Sequence, residues 1–199
     1  MKKIYCILVT VLSFNTSFAQ KLSYGLKAGF NGGFLQSNPE VKNAGILPTF
    51  HAGIFAEYAL NENISIQPSL LFNGRGTTIE HKDHHDDLLI YTLDLPIQLL
   101  YRTHGFFAGG GFIFGNALSG HSHTHDSLDR KVEQEVYFGS GAGEYKRLNY
   151  GLNISVGYEL KNGFFASTGI IYNLNNWRNI STVNQKFHVL VIGVGYRFK

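Results

Sequence analysis

Charged residues are scarce in this sequence, and proline and cysteine are scarcer. Of the 199 residues, 16% are charged, whereas soluble domains usually carry about 25%. A single cysteine excludes a small disulfide scaffold. The formal net charge of +3, with no basic stripe, excludes a nucleic-acid-binding protein. Apolar runs of ~18 residues are also missing, so no transmembrane helix is expected.

What is present is a high content of apolar, aromatic and glycine residues. Apolar residues make up 44% of the chain and aromatics 14%, and there are 23 glycines. This composition is too apolar for a disordered chain, and the length suits one domain with a substantial core. The mean hydropathy is nevertheless near zero, at -0.06. The apolar residues must therefore be interleaved with polar ones.

The first nineteen residues have the three parts of a signal peptide. Lys2 and Lys3 are followed by the apolar stretch 4–12, and Ser17 and Ala19 are small residues at a cleavage site. We expect cleavage before Gln20, which leaves a barrel domain over 20–199. Cys6 lies within the apolar stretch, so we do not expect a lipoprotein. Without the two lysines, the balance is 15 basic against 14 acidic residues.

The rest of the chain alternates between apolar and polar residues, which is the period of β-strands. In 148–160, every even position is apolar or aromatic and no odd position is apolar. The same pattern predicts eight strands, at 22–32, 49–60, 64–77, 88–102, 106–118, 146–160, 164–174 and 185–198. Because Pro68 would remove a ladder hydrogen bond, we expect a bulge there.

The connections between these strands alternate in length. Tight turns at 61–63, 103–105 and 161–163 alternate with longer links at 33–48, 78–87, 119–145 and 175–184. An even number of antiparallel strands with short turns at one end and long loops at the other is typical of an outer-membrane barrel. We therefore predict an all-β, eight-stranded, antiparallel up-and-down transmembrane β-barrel with short periplasmic turns and long extracellular loops.

Alternation alone would also fit a soluble barrel with its apolar face inward. The polar face, however, is mostly Gly, Ser, Asn, Gln and Thr, which suits a narrow packed lumen better than a surface in water. Aromatic residues also gather at both ends of the apolar face, as at two bilayer interfaces. We name them the short-turn belt (Tyr58, Tyr101, Phe106, Tyr158, Phe164, Tyr196, Phe198) and the long-loop belt (Phe30, Phe50, Phe72, Tyr91, Phe114, Tyr150, Tyr172).

Eight charged residues fall on the polar face or near it. An eight-stranded barrel is filled by its own side chains, and buried charges need partners. We therefore expect an ionic network that closes the lumen and leaves no wide pore. Its predicted members are Lys27, Glu57, Arg75, Asp94, Arg102, Arg147, Glu159 and Arg197.

Several short stretches resemble the PorT-type outer-membrane β-barrel family of Gram-negative bacteria. They are 25–31 (GLKAGFN), 93–97 (LDLPI), 107–112 (FAGGGF) and the ending 195–198 (GYRF). The resemblance covers about residues 20–199 and implies a small barrel in the outer membrane. The namesake takes part in protein secretion, so a secretion-associated role is one implied alternative. Lys199 follows the terminal aromatic Phe198, which departs from the usual ending of outer-membrane strands.

Two long links are rich in histidine and aspartate. If the second is extended, His121, His123 and His125 share one face. Imidazoles and carboxylates suit Zn²⁺, Cu²⁺ or Ni²⁺, and the two links could meet beside strands four and five. The links could instead bind a small ligand, or they could be polar surface loops that bind nothing. The candidate metal ligands are His81, His84, His85, His121, His123, His125 and Asp126, with Asp83, Asp86 and Asp87 beside them.

An enzyme is the remaining alternative, because some outer-membrane barrels are lipid A deacylases. His125 and Ser127 have the types needed for nucleophilic catalysis, but no acid is placed to orient the histidine. We therefore expect a non-enzymatic, monomeric barrel without a resident cofactor that acts structurally or through its loops. Its expected partners are outer-membrane lipid, the barrel-assembly machinery during insertion and a protein at the extracellular loops.

Overall fold

The computed structural model describes residues 21–38, 44–80, 84–126, 131–141, 143–179 and 184–198. Nine strands account for most of them, and the described residues contain no helix long and apolar enough to cross a membrane. The strands are β1 (Leu22–Asn38), β2 (Ala44–Ala59), β3 (Ile64–Glu80), β4 (His84–Thr103), β5 (Phe106–Asp126), β6 (Lys131–Glu135), β7 (Leu148–Glu159), β8 (Phe164–Asn173) and β9 (Asn184–Phe198).

Eight of these strands close into a ring. All pairings are antiparallel, and the order is β1–β2–β3–β4–β5–β7–β8–β9, with β9 paired back to β1. The short strand β6 lies outside this ring of eight and pairs with the last part of β5. The predicted eight-stranded antiparallel up-and-down barrel is confirmed. The sequence pattern missed β6.

Tight turns join the strands at one end of the barrel, which we call the short-turn end. At 61–63, the side-chain oxygen of Asn61 accepts hydrogen bonds from the backbone N–H groups of Asn63 and Ile64 at 2.9 and 2.8 Å. His104 and Gly105 adopt positive φ angles of 48° and 85°, as a two-residue hairpin turn requires. The opposite end is the long-loop end.

The strands extend further toward the long-loop end than their alternation predicts. β1, β3 and β5 end at residues 38, 80 and 126 instead of 32, 77 and 118, and β2 and β4 begin at residues 44 and 84 instead of 49 and 88. Much of what the sequence indicates as loop is therefore paired strand. The bulge expected at Pro68 is wrong, because β3 keeps one register with β4 on both sides of it. Register shifts lie instead at Leu47/His51 and Tyr91/Thr92.

The apolar face of the strands points outward. Phe30 is 73% exposed and Phe106 is 63% exposed, and aliphatic residues such as Ile154 lie between the two belts. Tyr91 and Tyr101, ten residues apart on β4, are separated by about 33 Å along the strand. A strand tilt of about 40° reduces this to roughly 25 Å, the height of the apolar band of outer-membrane barrels.

Three inward-facing phenylalanines fill the lumen near the short-turn end. Phe55, Phe107 and Phe165 meet edge to face, with ring centroids 5.8 and 5.9 Å apart. Each ring lies over a glycine of an adjacent strand: Gly25, Gly157 and Gly195, respectively. A side chain at any of these glycines would overlap the ring, so the absence of a Cβ there makes room for the aromatic layer.

The apolar core lies inside the barrel at the long-loop end. It consists of Ile90, Ile113, Ala117, Ile171, Trp177, Phe187 and Val189, each at most 7% exposed. Leu88, Leu35, Phe138 and Tyr145 pack against it. The lumen is therefore capped by apolar side chains at the end where the long links lie.

The glycines that lie under the three phenylalanine rings allow a direct test of this packing. Gly195→Ala would place a methyl group against the ring of Phe165 and the backbone oxygen of Leu26, so we expect a loss of about 1–3 kcal/mol in the free energy of unfolding. The control is Gly110→Ala, whose methyl group would lie no closer than 3.5 Å to another atom. Urea unfolding in phospholipid vesicles, followed by the fluorescence of the single tryptophan, measures both. Equal effects of the two substitutions would contradict the packing argument.

Candidate functional site

Four charged side chains form a closed ring across the lumen at the short-turn end. They come from β2, β4, β7 and β9, that is, from every second strand of the barrel. Nitrogen–oxygen distances around the ring are 2.6 Å (Glu57–Arg102), 3.0 Å (Arg102–Glu159), 2.6 Å (Glu159–Arg197) and 3.7 Å (Arg197–Glu57). Two cations and two anions thus alternate, and the formal charge of the ring is zero.

Neutral side chains complete the coordination of this ring. Ser65 and Gln67 of β3 donate hydrogen bonds to the Glu57 carboxylate at 2.8 and 3.0 Å. The Arg102 guanidinium stacks 4.9 Å from the ring centroid of Phe107, which belongs to the aromatic layer above. A vestibule of about 810 Å³ opens onto the ring at the short-turn end. The ring therefore closes the inner end of that vestibule. The aromatic layer lies directly behind the ring.

A second polar cluster lies deeper in the barrel. Arg75 contacts Asp94 at 2.5 Å, and both side chains are almost completely buried, at 1% and 0% exposure. The Asn73 amide also donates to Asp94, at 2.7 Å, and the cluster continues through Asn31 to the Nδ1 of His51. The Arg75 guanidinium lies 5.5 Å from the ring of Trp177. The ionic network predicted from the sequence did not include Asn31, Asn73 or His51, although all three occupy the polar face of their strands.

The two remaining residues of the predicted network are not part of the contacts of either cluster. The Lys27 ammonium lies 5.8 Å from the ring centroid of Phe55, near a small cavity of about 80 Å³. Arg147 is exposed at the long-loop end, where its guanidinium lies 5.5 Å from Phe138. It precedes the first residue of β7, although its backbone carbonyl still accepts a hydrogen bond from the N–H of Ala117 at 2.7 Å.

Residues 136–141 and 143–147 fold over the long-loop mouth. Tyr145 pairs with Tyr137 through its backbone N–H at 3.0 Å, and Lys146 donates to the carbonyl of Trp177 at 2.8 Å. The Tyr145 ring contacts Phe138 and lies 5.3 Å from the Arg178 guanidinium. Burial raises the pKa of the Tyr145 phenol, although Arg178 opposes the shift. These residues therefore present a neutral aromatic surface to the apolar core.

The predicted metal ligands lie on paired strands rather than in loops. In the register of β4, β5 and β6 they form three rows: Leu89–His121–Glu135, Asp87–His123–Glu133 and His85–His125–Lys131. His84 pairs with Asp126 beyond them. His81, Asp83 and Ser127 lie outside the described residues, and so do the side chains of His84, His125 and Asp126.

In the middle row, two side chains of metal-ligating types are in contact. The Nε2 of His123 lies 3.3 Å from a carboxylate oxygen of Glu133. Asp87 instead accepts a hydrogen bond from Thr78 of β3 at 2.6 Å. Within the described ranges, no three His, Cys, Asp or Glu side chains converge in a geometry that would hold a metal ion. Glu133 and Glu135 were not among the predicted ligands, because β6 was not predicted.

Comparison with solved structures gives matches to bacterial surface and outer-membrane proteins. The neisserial surface protein A structure aligns with a TM-score of 0.51 and 15% identity, covering 88% of this chain and 97% of that one. The attachment invasion locus protein Ail of Yersinia pestis aligns at 0.48 and 13%, covering 89% and 99%. OprG of Pseudomonas aeruginosa aligns at 0.43 and 11%, covering 88% and 95%. At these identities the likeness concerns the fold alone.

Comparison with curated protein sequences gives no significant match. Comparison with family models gives one that covers residues 18–179, described as an outer membrane protein β-barrel domain. That match spans most of the sequence and agrees with the closed antiparallel ring and its outward apolar face. The chain therefore belongs to the outer-membrane protein β-barrel domain family, and its place is the outer membrane.

Proposed function

We propose that this protein is a closed, non-enzymatic, monomeric outer-membrane barrel that acts through the sheet it presents outside the membrane. The observation that carries the proposal is the pairing of β4 with β5. It continues for seven residues past Tyr91, to His84, above a lumen filled with side chains. The membrane-spanning part would then be an anchor, and the extended sheet the working surface.

Several layers of side chains support the closed lumen. The charged ring, the three phenylalanines, the Arg75–Asp94 cluster and the apolar core follow one another from the short-turn end to the long-loop end. The cavity beside Lys27, at about 80 Å³, has room for only a few water molecules. Ions crossing the barrel would have to displace each of these layers.

The length and exposure of the extended sheet support an interaction role. Seven residues of paired strand extend about 23 Å along β4 beyond the long-loop belt, which is roughly 18 Å of height at a strand tilt of about 40°. Apolar side chains on this part of the molecule are exposed, among them Ile46 at 54%, Val132 at 51% and Tyr137 at 72%. A hydrogen-bonded sheet offers such groups in a fixed arrangement, which lowers the entropic cost of binding a protein.

The proposal includes the remaining expectations for processing and partners. We propose cleavage of a signal peptide before Gln20, insertion by the barrel-assembly machinery and outer-membrane lipid around the apolar band. The PorT-type resemblance adds the proposal of a PorT-like barrel. A secretion role has no observation of its own in the described residues, and a lipid-modifying activity has none either, so we propose neither.

The closed lumen predicts that the protein does not conduct ions. In planar lipid bilayers, the folded protein should give no steady current, because the filled layers leave no continuous water path. A porin with a water-filled channel is the positive control. A variant in which Glu57, Arg102, Glu159 and Arg197 are all serine tests the layers above the ring and should also stay silent. Steady ohmic current through the unmodified protein would contradict the proposal of a closed lumen.

The charged ring predicts a strong coupling between its members. Arg102→Met leaves Glu57 and Glu159 with Arg197 as the one remaining cation of the ring and should cost about 3 kcal/mol in the free energy of unfolding. The double variant Arg102→Met/Glu57→Gln removes one uncompensated carboxylate. Its loss in the free energy of unfolding should therefore be smaller than the sum of the losses in the two single variants. Urea unfolding of the four proteins in vesicles gives the coupling. Simple additivity would mean that the ring does not act as a unit.

The interaction role predicts contacts that are confined to the extended sheet. A photocrosslinking residue at Gln134 or Tyr137 should give a discrete adduct with an envelope protein in native outer membrane. The matched control is the same residue at Glu62, an exposed position in a turn at the short-turn end. Gel shift and mass spectrometry identify the adduct. The absence of adducts at both test positions, or identical adducts at Glu62, would contradict the role.

A further inference from the structure

The outer face of β5 and β6 places two histidines opposite two glutamates. His121 pairs with Glu135, and His123 pairs with Glu133. Residues directly opposite on antiparallel strands point to the same side of the sheet, and so do residues two apart on one strand. The four side chains therefore leave the sheet on one face, from the corners of a rectangle.

The dimensions of this rectangle suit a single cation. Directly opposite Cβ atoms lie about 4.5–5.5 Å apart, and residues two apart on a strand lie roughly 6.6 Å apart. Imidazole nitrogens and carboxylate oxygens bind Zn²⁺ at about 2.0–2.2 Å, usually with four ligands in a tetrahedral arrangement. Four side chains from such corners can reach one point above the centre of the rectangle.

The position of this face and the exposure of its side chains also suit the binding of an ion from solution. His121 and His123 lie beyond Tyr91, past the long-loop belt, because His121 pairs with Leu89 and His123 with Asp87. Both glutamates are exposed, whereas the His123 side chain is only 20% exposed. One edge of the rectangle is already formed, since the Nε2 of His123 lies 3.3 Å from Glu133. His121 and Glu135, the other pair, leave the sheet on the same face.

We propose that His121, His123, Glu133 and Glu135 bind one divalent transition-metal ion of the Zn²⁺ class at the junction of β5 and β6. The ion replaces the direct contact between His123 and Glu133 and connects the short strand β6 to the barrel. The set differs from the ligands expected from the sequence, because it takes both carboxylates from β6. It is independent of whether the lumen conducts or a protein partner binds.

The neighbouring positions are poorer ligands. Asp87, on the other side of His123, is held by Thr78, and Leu89 on the other side of His121 has no donor atom. The third row ends in Lys131, a cation at the position where the other two rows have a glutamate. The chemistry therefore selects the first two rows on the β6 side.

The test is a titration of Zn²⁺ into the folded barrel without its signal peptide, in detergent. The only cysteine of the sequence is Cys6, so no thiol competes for the metal. We expect saturable binding of one ion, measured by competition with a chromogenic chelator. His121→Ala, His123→Ala and the isosteric pair Glu133→Gln/Glu135→Gln should each weaken binding at least about tenfold. With Co²⁺, the intensity of the visible absorption should indicate four-coordination.

Two matched controls make the ligand assignment falsifiable. His104→Ala removes an exposed histidine at the short-turn end, and His85→Ala removes one from the third row; both should keep the affinity. Retained heat-modifiable gel migration establishes that each variant is folded. No saturable binding would overturn the proposal. So would binding that is insensitive to the two glutamates, or binding that His85→Ala weakens as much as His123→Ala does.

Discussion

Glu57, Arg102, Glu159 and Arg197 neutralise one another only because the sheet closes on itself. They belong to four strands that are never direct neighbours in the ring, and a flat sheet would leave them far apart. Closure is in turn demanded by the bilayer, where an unpaired strand edge has no water to bind. The charged ring thus depends on the barrel. The barrel depends on the ring as well, since any one of these charges alone would be costly in so narrow a lumen.

The narrow lumen also accounts for the glycines. Eight strands leave an interior just wide enough for side chains, so a large residue on one strand requires a small one opposite. Phe55, Phe107 and Phe165 each meet a glycine of the adjacent strand, and Gly115 lies against Asp94 and Asn149 in the same way. The high glycine content and the low charge of the sequence therefore have one cause. Both follow from filling a small closed space.

The sequence predicted the barrel well within the membrane and poorly beyond it. Alternation is strong where one face meets lipid and the other meets a polar lumen, and all eight membrane strands were found. The pattern fades in 119–126 and 131–135, where polar residues occur on both faces, so the extensions and β6 were read as loop. Arg147 was misplaced for a related reason: it precedes the first residue of β7, and the alternation between buried and exposed residues along β7 does not extend to it. Glu133 and Glu135 could not be paired with the histidines before β6 was known.

The polarity of the barrel reverses as the strands leave the membrane. Below Tyr91, most inward residues of β4 are polar, as with Asp94 and Thr92, although Leu100 is not, and the outward ones are apolar. Above it, Ile90 lies inward in the apolar core while Asp87 lies on the outer face with Thr78. The register shift at Tyr91/Thr92 lies at this boundary. Ile90 breaks the alternation of β4. It is thus the first residue of the part of the barrel that has an apolar interior and an outer face in contact with water. That reversal is what allows an outer surface of histidine and glutamate to stand directly above the lipid.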